Sequence, residues 1–231
     1  MYCNDYKTME QKLSAVNSRR RYDSSGRRER ARQTRDQITD IARELFLTRG
    51  YGATTVTAIA AAAAVSVETI YKGFGGKPGL VRAIIDKGLA GEGPVPAEQR
   101  SDHISETEPD PRNILTAWGT FTAEIAPRTA PMITLAREAG ASDPEIAALL
   151  DEVTAARHRR MTLNARRLAD AGHLRPGITT SQAADILWTY SSPELYELLV
   201  TRRGWPAEHY GRFVGQALIA ALLPPSQPDL T

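Results

Sequence analysis

The chain has 231 residues, of which 42% are hydrophobic and 24% are charged, a composition typical of a globular protein with one or two domains. No apolar run reaches the roughly 18 residues that a membrane span needs, and the single cysteine, Cys3, cannot form an internal disulfide. These features argue against a membrane-spanning or disulfide-stabilised protein. The basic residues near the start precede no apolar block of the kind found in a secretory signal, so we expect a cytoplasmic protein.

Charge is distributed unevenly along the chain. The net charge is +2, but residues 1–90 contain 16 Lys and Arg against 9 Asp and Glu, whereas residues 91–231 contain 13 against 18. A basic N-terminal part on an acidic body is expected of a protein whose one end contacts a polyanion such as nucleic acid. A solvated basic tail would give the same imbalance, so charge alone leaves both interpretations open.

Residues 1–33 have no helical or alternating apolar spacing and are rich in Arg, Ser, Asn and Asp. Such a segment cannot bury enough surface to offset the entropy of ordering, so we expect a flexible basic arm. The pattern changes at Thr34, where helical spacing of apolar residues begins, and Gly50 provides a C-terminal stop. This spacing predicts an amphipathic helix whose inner face carries Ile38, Ile41, Ala42, Leu45 and Phe46.

Two short helices are predicted next, with Thr55 as the cap of the first and Ser66 as the cap of the second. The short break between them is typical of a helix-turn-helix inside a three-helix unit. A fourth helix follows Gly76, because Pro78 is tolerated in a first turn. The predicted inner positions of these three helices are Val56, Ile59, Ala60 and Ala63, then Val67, Ile70, Tyr71 and Phe74, then Val81, Ile84 and Ile85.

From Thr34 to Asp86 the residue types and their spacing form one continuous pattern. It comprises Arg35, Ile38, Leu45-Phe46, Arg49-Gly50-Tyr51, Thr54-Thr55-Val56, Ile59-Ala60, Val65-Ser66, Thr69-Ile70-Tyr71, Phe74, Lys77 and Leu80. On these residues the stretch resembles the N-terminal DNA-binding domain of TetR-type repressors. Ala64 stands where the family usually has Gly, and we expect strain there if the turn needs a positive φ angle. Gly73 stands where the family often has His or another aromatic residue, and it removes one backbone contact.

The third helix is the candidate DNA-reading element. Val67, Glu68 and Lys72 point away from its core-facing stripe, so we expect these side chains to enter a major groove and contact bases. An alternative stays open for Glu68, because a carboxylate in a first helical turn also complements the helix dipole.

Four residues are candidates for phosphate contacts. Thr55, Thr69 and Lys77 lie near helix starts, and Tyr71 lies at the edge of the inner stripe, where its hydroxyl could reach a phosphate. The resemblance implies that these four match family positions that hold the DNA backbone. For Tyr71 the alternative is an amphipathic core residue.

The sequence contains no pattern that indicates catalysis. The glycine-rich stretch 73–79 lacks the glycine spacing of a phosphate-binding loop and has Pro78 where Ser or Thr is needed. There is no Gly-x-Ser-x-Gly elbow and no Cys near a His, and the histidines show no metal-ligand spacing. We therefore expect no enzyme activity, no cofactor and no metal. The histidines are His103, His158, His173 and His209.

The remainder of the chain is predicted to be helical after a polar connection. Residues 91–112 indicate a long loop or a frayed helix end, and Asp110-Pro111 starts a helix with Ile114, Trp118, Phe121 and Ile125 on one face. Pro131 is expected to open a shorter helix. Asp143-Pro144 then begins a long helix that continues to Gly172, in which the cluster from Arg157 to Arg160 is interpreted as a solvated face.

Three further helical segments are predicted at the C-terminal end: Ser181 to Tyr190, a segment from Ser192-Pro193 to Arg203-Gly204, and Pro206 to Leu223. The last helix has one apolar stripe, which the core of the same chain or a second copy could cover. The resemblance implies that the two C-terminal helices form a dimeric four-helix bundle. The candidate dimer-interface residues are Tyr210, Phe213, Val214, Ala217, Leu218 and Ala221.

These observations predict an all-α protein with an N-terminal three-helix helix-turn-helix DNA-binding domain and a larger C-terminal helical ligand-binding and dimerisation domain. The expected segments are a basic arm at 1–33, the DNA-binding domain at 34–90 and the larger domain at 91–231. The expected function is that of a homodimeric repressor, released from a palindromic operator in double-stranded DNA by a small, largely apolar effector. The alternative is an architectural or tethering protein without ligand response. The candidate ligand-binding residues are Trp118, Phe121, Met132, Arg137, His158, Met161, Trp188 and Tyr190.

Overall fold

The computed structural model describes the backbone of residues 5–225 and the side chains of residues 26–225, so the expectation for Cys3 lies outside the described residues. The described chain is helical and contains no strand, which confirms the predicted all-α class. None of its helices has the length and hydropathy needed to cross a membrane. The elements are α1 (Asp5–Arg49), α2 (Val56–Ala62), α3 (Val67–Phe74), α4 (Lys77–Ala90), α5 (Ala97–Thr107), α6 (Pro111–Gly140), α7 (Pro144–Asp170), α8 (Thr180–Tyr190), α9 (Pro193–Tyr196), a π-helical segment (Glu197–Arg202) and α10 (Ala207–Leu222).

The C-terminal half of α1 packs with α2, α3 and α4 around an apolar core, and we call this unit the head. Its helix starts are those predicted from the sequence. The Thr55 hydroxyl accepts a hydrogen bond from the amide of Ala58, and the Ser66 hydroxyl accepts one from the amide of Thr69, each at 3.1 Å. The helix-turn-helix is therefore present. Its buried residues include Ile38, Ala42, Phe46, Ile59, Ile70, Leu80 and Ile85.

The helix α1 is longer than the sequence predicts. A flexible arm is expected at residues 1–33, but α1 runs without interruption from Asp5. The segment contains no proline, and long side chains such as Arg, Gln and Glu have high helix propensity. Glu29 also accepts hydrogen bonds from Arg32 at 2.8 Å and from Gln33 at 3.1 Å, along the same helix. Such local pairs need no buried face, so apolar spacing does not reveal this part of the helix.

The helix α5 replaces most of the loop that the sequence predicts between residues 91 and 112. Charged contacts hold it against its neighbours. Asp102 forms ion pairs with Arg160, at 2.7 Å, and with Arg167, both on α7. Arg100 donates to Glu124 of α6 at 3.0 Å. The prediction of a loop is wrong because ion pairs take the place of the apolar stripe by which a helix is recognised.

The helix α6 is also continuous where a break is expected. It passes through Pro127 and Pro131 to Gly140, so the prediction that Pro131 opens a separate helix is wrong. Pro131 has no amide hydrogen to donate to the carbonyl of Pro127. The side chain of Arg43 on α1 donates to that carbonyl instead, at 3.4 Å. Burial of Ala130 and Met132 on either side of Pro131 keeps the helix in place through the interruption.

The remaining helices begin and end close to the predicted positions. The Asp143 carboxylate caps α7, which ends before Gly172 at a φ angle of 71°. Thr179 and Gln182 form a reciprocal capping box at the start of α8, and the Ser192 hydroxyl caps α9. Together with α5, α6 and α10, these helices form a second unit that we call the body.

Within the body, α6 and α10 approach closely at three glycines. A Cβ atom added at Gly119 would lie 2.7 Å from the amide nitrogen of Gly215 and also too close to the carbonyl of Gly211. The two backbones can therefore be this near only because none of the three residues has a side chain.

We expect Gly119→Ala to lower the free energy of unfolding by about 1–3 kcal/mol, because the new methyl group meets backbone atoms that cannot rotate away. Chemical denaturation followed by circular dichroism measures the change. The matched control is Gly73→Ala in α3, where nothing lies within 4 Å of the added Cβ. This change should raise the free energy of unfolding by about 0.5–1 kcal/mol. Equal effects of the two substitutions would contradict the close approach of α6 and α10.

The turn between α2 and α3 contains Ala64 at a φ angle of 53°, and no other non-glycine residue in the described chain has a positive φ angle. The amide of Val65 donates to the carbonyl of Ala60 at 3.0 Å and closes the turn. The expectation of strain at Ala64 is therefore confirmed, since the left-handed region brings Cβ close to the following carbonyl oxygen.

We expect Ala64→Gly to raise the free energy of unfolding by about 1 kcal/mol, because relief of the strain exceeds the added flexibility of the unfolded chain. The control is the same change at Ala61, an exposed position inside α2. There the substitution should lower the free energy by about 1 kcal/mol. Thermal unfolding of both variants gives the comparison, and destabilisation by Ala64→Gly would refute the strained turn.

Candidate DNA-binding surface and ligand site

The short helix α3 has one buried and one exposed face. Ile70 is fully buried in the head core, whereas Val67 and Tyr71 are 36% and 54% exposed. Glu68 and Lys72 are exposed beside them. The predicted base-contacting residues thus share one accessible surface, and the alternative of Tyr71 as a core residue is wrong.

The threonines proposed for phosphate contacts lie at the starts of α2 and α3. Both side chains are exposed. The Thr55 hydroxyl accepts from the amide of Ala58, which leaves its hydrogen available to a phosphate oxygen. The Thr69 hydroxyl lies 2.8 Å from that of Ser66. These positions fit backbone contacts on either side of the turn.

The ammonium group of Lys77 is engaged within the head rather than free to contact a phosphate. Its ammonium donates to the carbonyl of Tyr51 at 2.6 Å and lies 3.9 Å from the centre of the Tyr51 ring. Burial lowers the pKa of Lys77. A phosphate contact by Lys77 remains a prediction, and it would require the ammonium to share or leave this carbonyl.

Tyr51 also joins the head to the body. Its hydroxyl donates to the Asp143 carboxylate at 2.8 Å, and the same carboxylate caps α7. This hydrogen bond lowers the pKa of Asp143, while burial and the same contact raise the pKa of Tyr51. Tyr51 and Asp143 were recognisable in the sequence only as parts of separate motifs, and no local signal indicated that they meet.

The predicted ligand-binding residues do not form one group. Met132 is buried in the head core, away from Trp118 of the body core. Arg137 is exposed and forms an ion pair with Glu194. These two positions depart from the predicted site because the continuous α6 carries its second half beyond the body and under the head.

The other candidates lie in or beside the body core. Trp118 is 6% exposed, and Phe121, Met161 and Tyr190 pack against the same cluster, whereas Trp188 contacts Arg157 and His158 of α7. His158 lies at the surface of α7, with its ring edge-on to that of Trp188 at 6.0 Å. Trp118, Phe121 and Tyr190 are therefore brought together in the body core, and Trp188 lies beside α7.

Several buried polar atoms of the body have no hydrogen-bond partner among the described residues. They are the indole nitrogens of Trp118 and Trp188, the hydroxyl of Tyr210 and the side-chain oxygen of Asn164. Buried polar groups are nearly always paired in folded proteins, because an unpaired one costs stability. The body core therefore has unused hydrogen-bonding capacity of the kind that a bound molecule could satisfy.

Arg157 is beside these atoms rather than on a solvated face, which corrects the interpretation of the cluster from Arg157 to Arg160. Its guanidinium lies 4.7 Å from the centre of the Trp188 ring and donates to the Ser191 hydroxyl at 3.2 Å. Burial lowers the pKa of Arg157 to about 10. Sequence reasoning missed this residue because three other basic or titratable residues follow it directly.

The stripe of α10 is covered mainly from within the chain. Tyr210, Val214 and Leu218 are 0%, 1% and 3% exposed, because they pack in the body core with α6 and its neighbours. The prediction that a second copy covers these three residues is wrong. Phe213, Ala217 and Ala221 are half-buried and remain candidates for a dimer interface.

No cluster of His, Cys, Asp and Glu side chains suited to a metal ion occurs within residues 26–225. Two surface clefts lie elsewhere, one between head and body and one near the C-terminal end of α10. Neither is lined by the predicted ligand-binding residues.

Comparison with known proteins gives a sequence match for the head and a fold match for the whole chain. Residues 38–84 match the model for bacterial regulatory proteins of the tetR family. The uncharacterized HTH-type transcriptional regulator YvkB of Bacillus subtilis is 37% identical over 71 residues, which are 31% of this chain and only 38% of that relative. The solved complex of SmeT with triclosan has a TM-score of 0.65 at 22% identity and covers 84% of this chain and 93% of its own. NalD of Pseudomonas aeruginosa has a TM-score of 0.62 at 19% identity, with 84% and 99% covered. Residues 38–84 of the head carry the sequence match to the tetR family, and the whole chain shares its fold with these solved structures.

Proposed function

We propose that the protein is a transcriptional regulator that reads duplex DNA with α3. The observation that carries this proposal is the exposed face of α3, on which Val67, Glu68 and Lys72 stand free of the head core. A helix held by a core on one side and accessible on the other can enter a major groove. The excess of basic residues in the first 90 supports contacts with phosphates.

We propose further that two copies bind a palindromic operator. A two-fold dimer places its two α3 helices about 34–36 Å apart, or a larger multiple of the DNA repeat, so each reads one half-site. The half-buried outer residues of α8 and α10 offer a surface for the second copy. Tyr190 and Phe213 adjoin there, with their ring centres 6.5 Å apart.

The third part of the proposal is repression that a small molecule relieves. NalD is described as a repressor and SmeT was solved with triclosan, which supports this expectation. In the present chain the unpaired polar atoms of Trp118, Trp188 and Tyr210 support an effector that is largely apolar and carries a hydrogen-bonding group. Such an effector releases DNA only if it favours a head orientation unsuited to the operator.

One observation favours the second candidate, a DNA-tethering protein without ligand response. Trp118 is almost completely buried in the body core, at 6% exposure. A body that is packed solid would bind DNA without a switch. The two functions differ in whether any body-bound compound changes operator affinity.

The DNA-reading role predicts distinct effects for different α3 residues. Selection of bound sequences from random DNA should yield an inverted repeat, and Lys72→Ala should change the preferred bases at a cost of about 1–3 kcal/mol on the original site. Tyr71→Phe should instead weaken binding to all sequences alike, because a phosphate contact carries no base information.

The control for loss of positive charge is Arg159→Ala, at an exposed position of α7 in the body. It should leave both affinity and base preference unchanged at each salt concentration. If Lys72→Ala retained the affinity and the preference of the parent, α3 would not be the reading helix.

The ligand role of the body core predicts opposite effects of one substitution. Tyr210→Phe removes a buried hydroxyl without a protein partner, so the free energy of unfolding should rise by about 1 kcal/mol. The same change should lower the affinity for the effector. The effector is first identified by a screen for compounds that quench tryptophan fluorescence. Tyr71→Phe, at a residue exposed on α3 and distant from the body core, is the control and should change neither quantity substantially.

The operator is then titrated with and without the effector. A compound that saturates the body and leaves operator affinity unchanged would overturn the release mechanism and favour the tethering function. Unchanged effector affinity in Tyr210→Phe would remove the hydroxyl from the site.

A further inference from the structure

The cleft between head and body has a volume of about 560 Å³, within the usual range for small-molecule sites. Helices α1 and α4 of the head form one side, and α6 with the start of α10 forms the other. Its wall is apolar at Ile84, Ala123 and Pro127, and charged side chains surround this apolar part. The cleft is separate from the body core that contains Trp118 and Tyr210.

The acidic side chains of the cleft already have partners within the protein. Asp40 accepts from Lys87 at 2.6 Å, and Glu92 forms an ion pair with Arg128. Glu124, the third carboxylate of the lining, is held by Arg100 from α5. These pairs leave the negative charges of the cleft neutralised.

Arg43 differs from the other two cations of the lining. Among the residues that the structure describes it forms no ion pair, and its one hydrogen bond reaches the carbonyl of Pro127 at 3.4 Å. That distance is long for a charged donor, which usually lies 2.7–2.9 Å from its acceptor. The guanidinium therefore retains most of its capacity to bind an anion, beside an apolar wall.

We propose that this cleft binds a small amphipathic molecule with one anionic group, such as a carboxylate or a sulfonate, which pairs with Arg43. The apolar part of the molecule lies along Ile84, Ala123 and Pro127. A guanidinium matches the geometry of such groups through two parallel hydrogen bonds. A cationic ligand is disfavoured because the carboxylates of the lining are already paired.

Binding in this cleft has a consequence for the head. The occupant contacts α1 and α4 on one side and α6 on the other, and it competes with Pro127 for the Arg43 side chain. An occupant of the cleft therefore changes which orientation of the head relative to the body has the lowest free energy. This part rests on the proposed function, because it predicts a change in operator affinity.

The site is tested on the full chain without DNA, using two fluorescent probes that share one ring system. Anilinonaphthalene sulfonate carries an anionic group, and phenylnaphthylamine is its neutral counterpart. Arg43→Gln should lower the affinity for the sulfonate probe by about 10- to 100-fold, as expected for loss of a charge-assisted hydrogen bond. The affinity for the neutral probe should not change. Arg43→Lys keeps the positive charge, so it should retain part of the preference for the sulfonate probe over the neutral one.

Two further variants locate the probes. Ala207→Trp, at the exposed first residue of α10, should fill the cleft and exclude both probes. Arg112→Gln removes a guanidinium from the other cleft, near Pro224, and should leave both affinities unchanged. Equal sulfonate affinity in the parent and Arg43→Gln, or full binding of both probes to Ala207→Trp, would overturn the proposed site.

The regulatory part is measured on operator DNA obtained by selection from random sequences. Saturation with the sulfonate probe should lower operator affinity by about fivefold or more in the parent, and not in Arg43→Gln. Unchanged operator affinity with the cleft occupied would refute the regulatory part and leave the binding site intact. Failure to select any DNA sequence would count against the proposed function alone, because probe binding is measured without DNA.

Discussion

The close contact of α6 with α10 at Gly119, Gly211 and Gly215 holds α6 in place. This helix contributes residues to both cores of the protein. The first half of α6 contributes Trp118 to the body core, and its second half contributes Met132 to the head core. Because side chains in a packed core cannot shift independently, any displacement of α6 that the proposed effector causes in the body would be transmitted to the head. The head is thus not an independent unit joined by a linker.

Polar contacts at the boundary determine how the head sits on this shared helix. Tyr51 donates to Asp143, and Arg43 donates to the carbonyl that Pro131 leaves without an intrahelical partner. Each of these hydrogen bonds contributes about 0.5–3 kcal/mol, so their exchange for others costs little relative to the apolar core beneath them. The proposed release mechanism would therefore exchange these polar contacts while both apolar cores stay folded.

The sequence was informative wherever a helix buries an apolar stripe between recognisable caps. That condition holds for α2, α3, α4 and α7, and it made the exposed residues of α3 predictable. It fails for α5 and for the start of α1, where charged pairs take the place of apolar contacts. The stripe of α10 shows that something must cover Tyr210 and Leu218, but spacing along one helix does not say which partner does so. The polar environment of Arg157 depends on three helices that meet only in the folded chain.

The unpaired atoms of the body core suggest that this core is not optimised for stability alone. Phe at Tyr210 or Leu at Asn164 would remove a buried polar group, and such replacements often stabilise a fold. A molecule that satisfies these atoms stabilises the chain by binding only the folded state. If it also favours a head orientation that does not fit the operator, the same hydrogen bonds that stabilise the protein weaken its hold on DNA. Thermal stability should then rise and operator affinity should fall as the effector is added. The unpaired polar atoms of the body would in this way control the binding of the head to DNA.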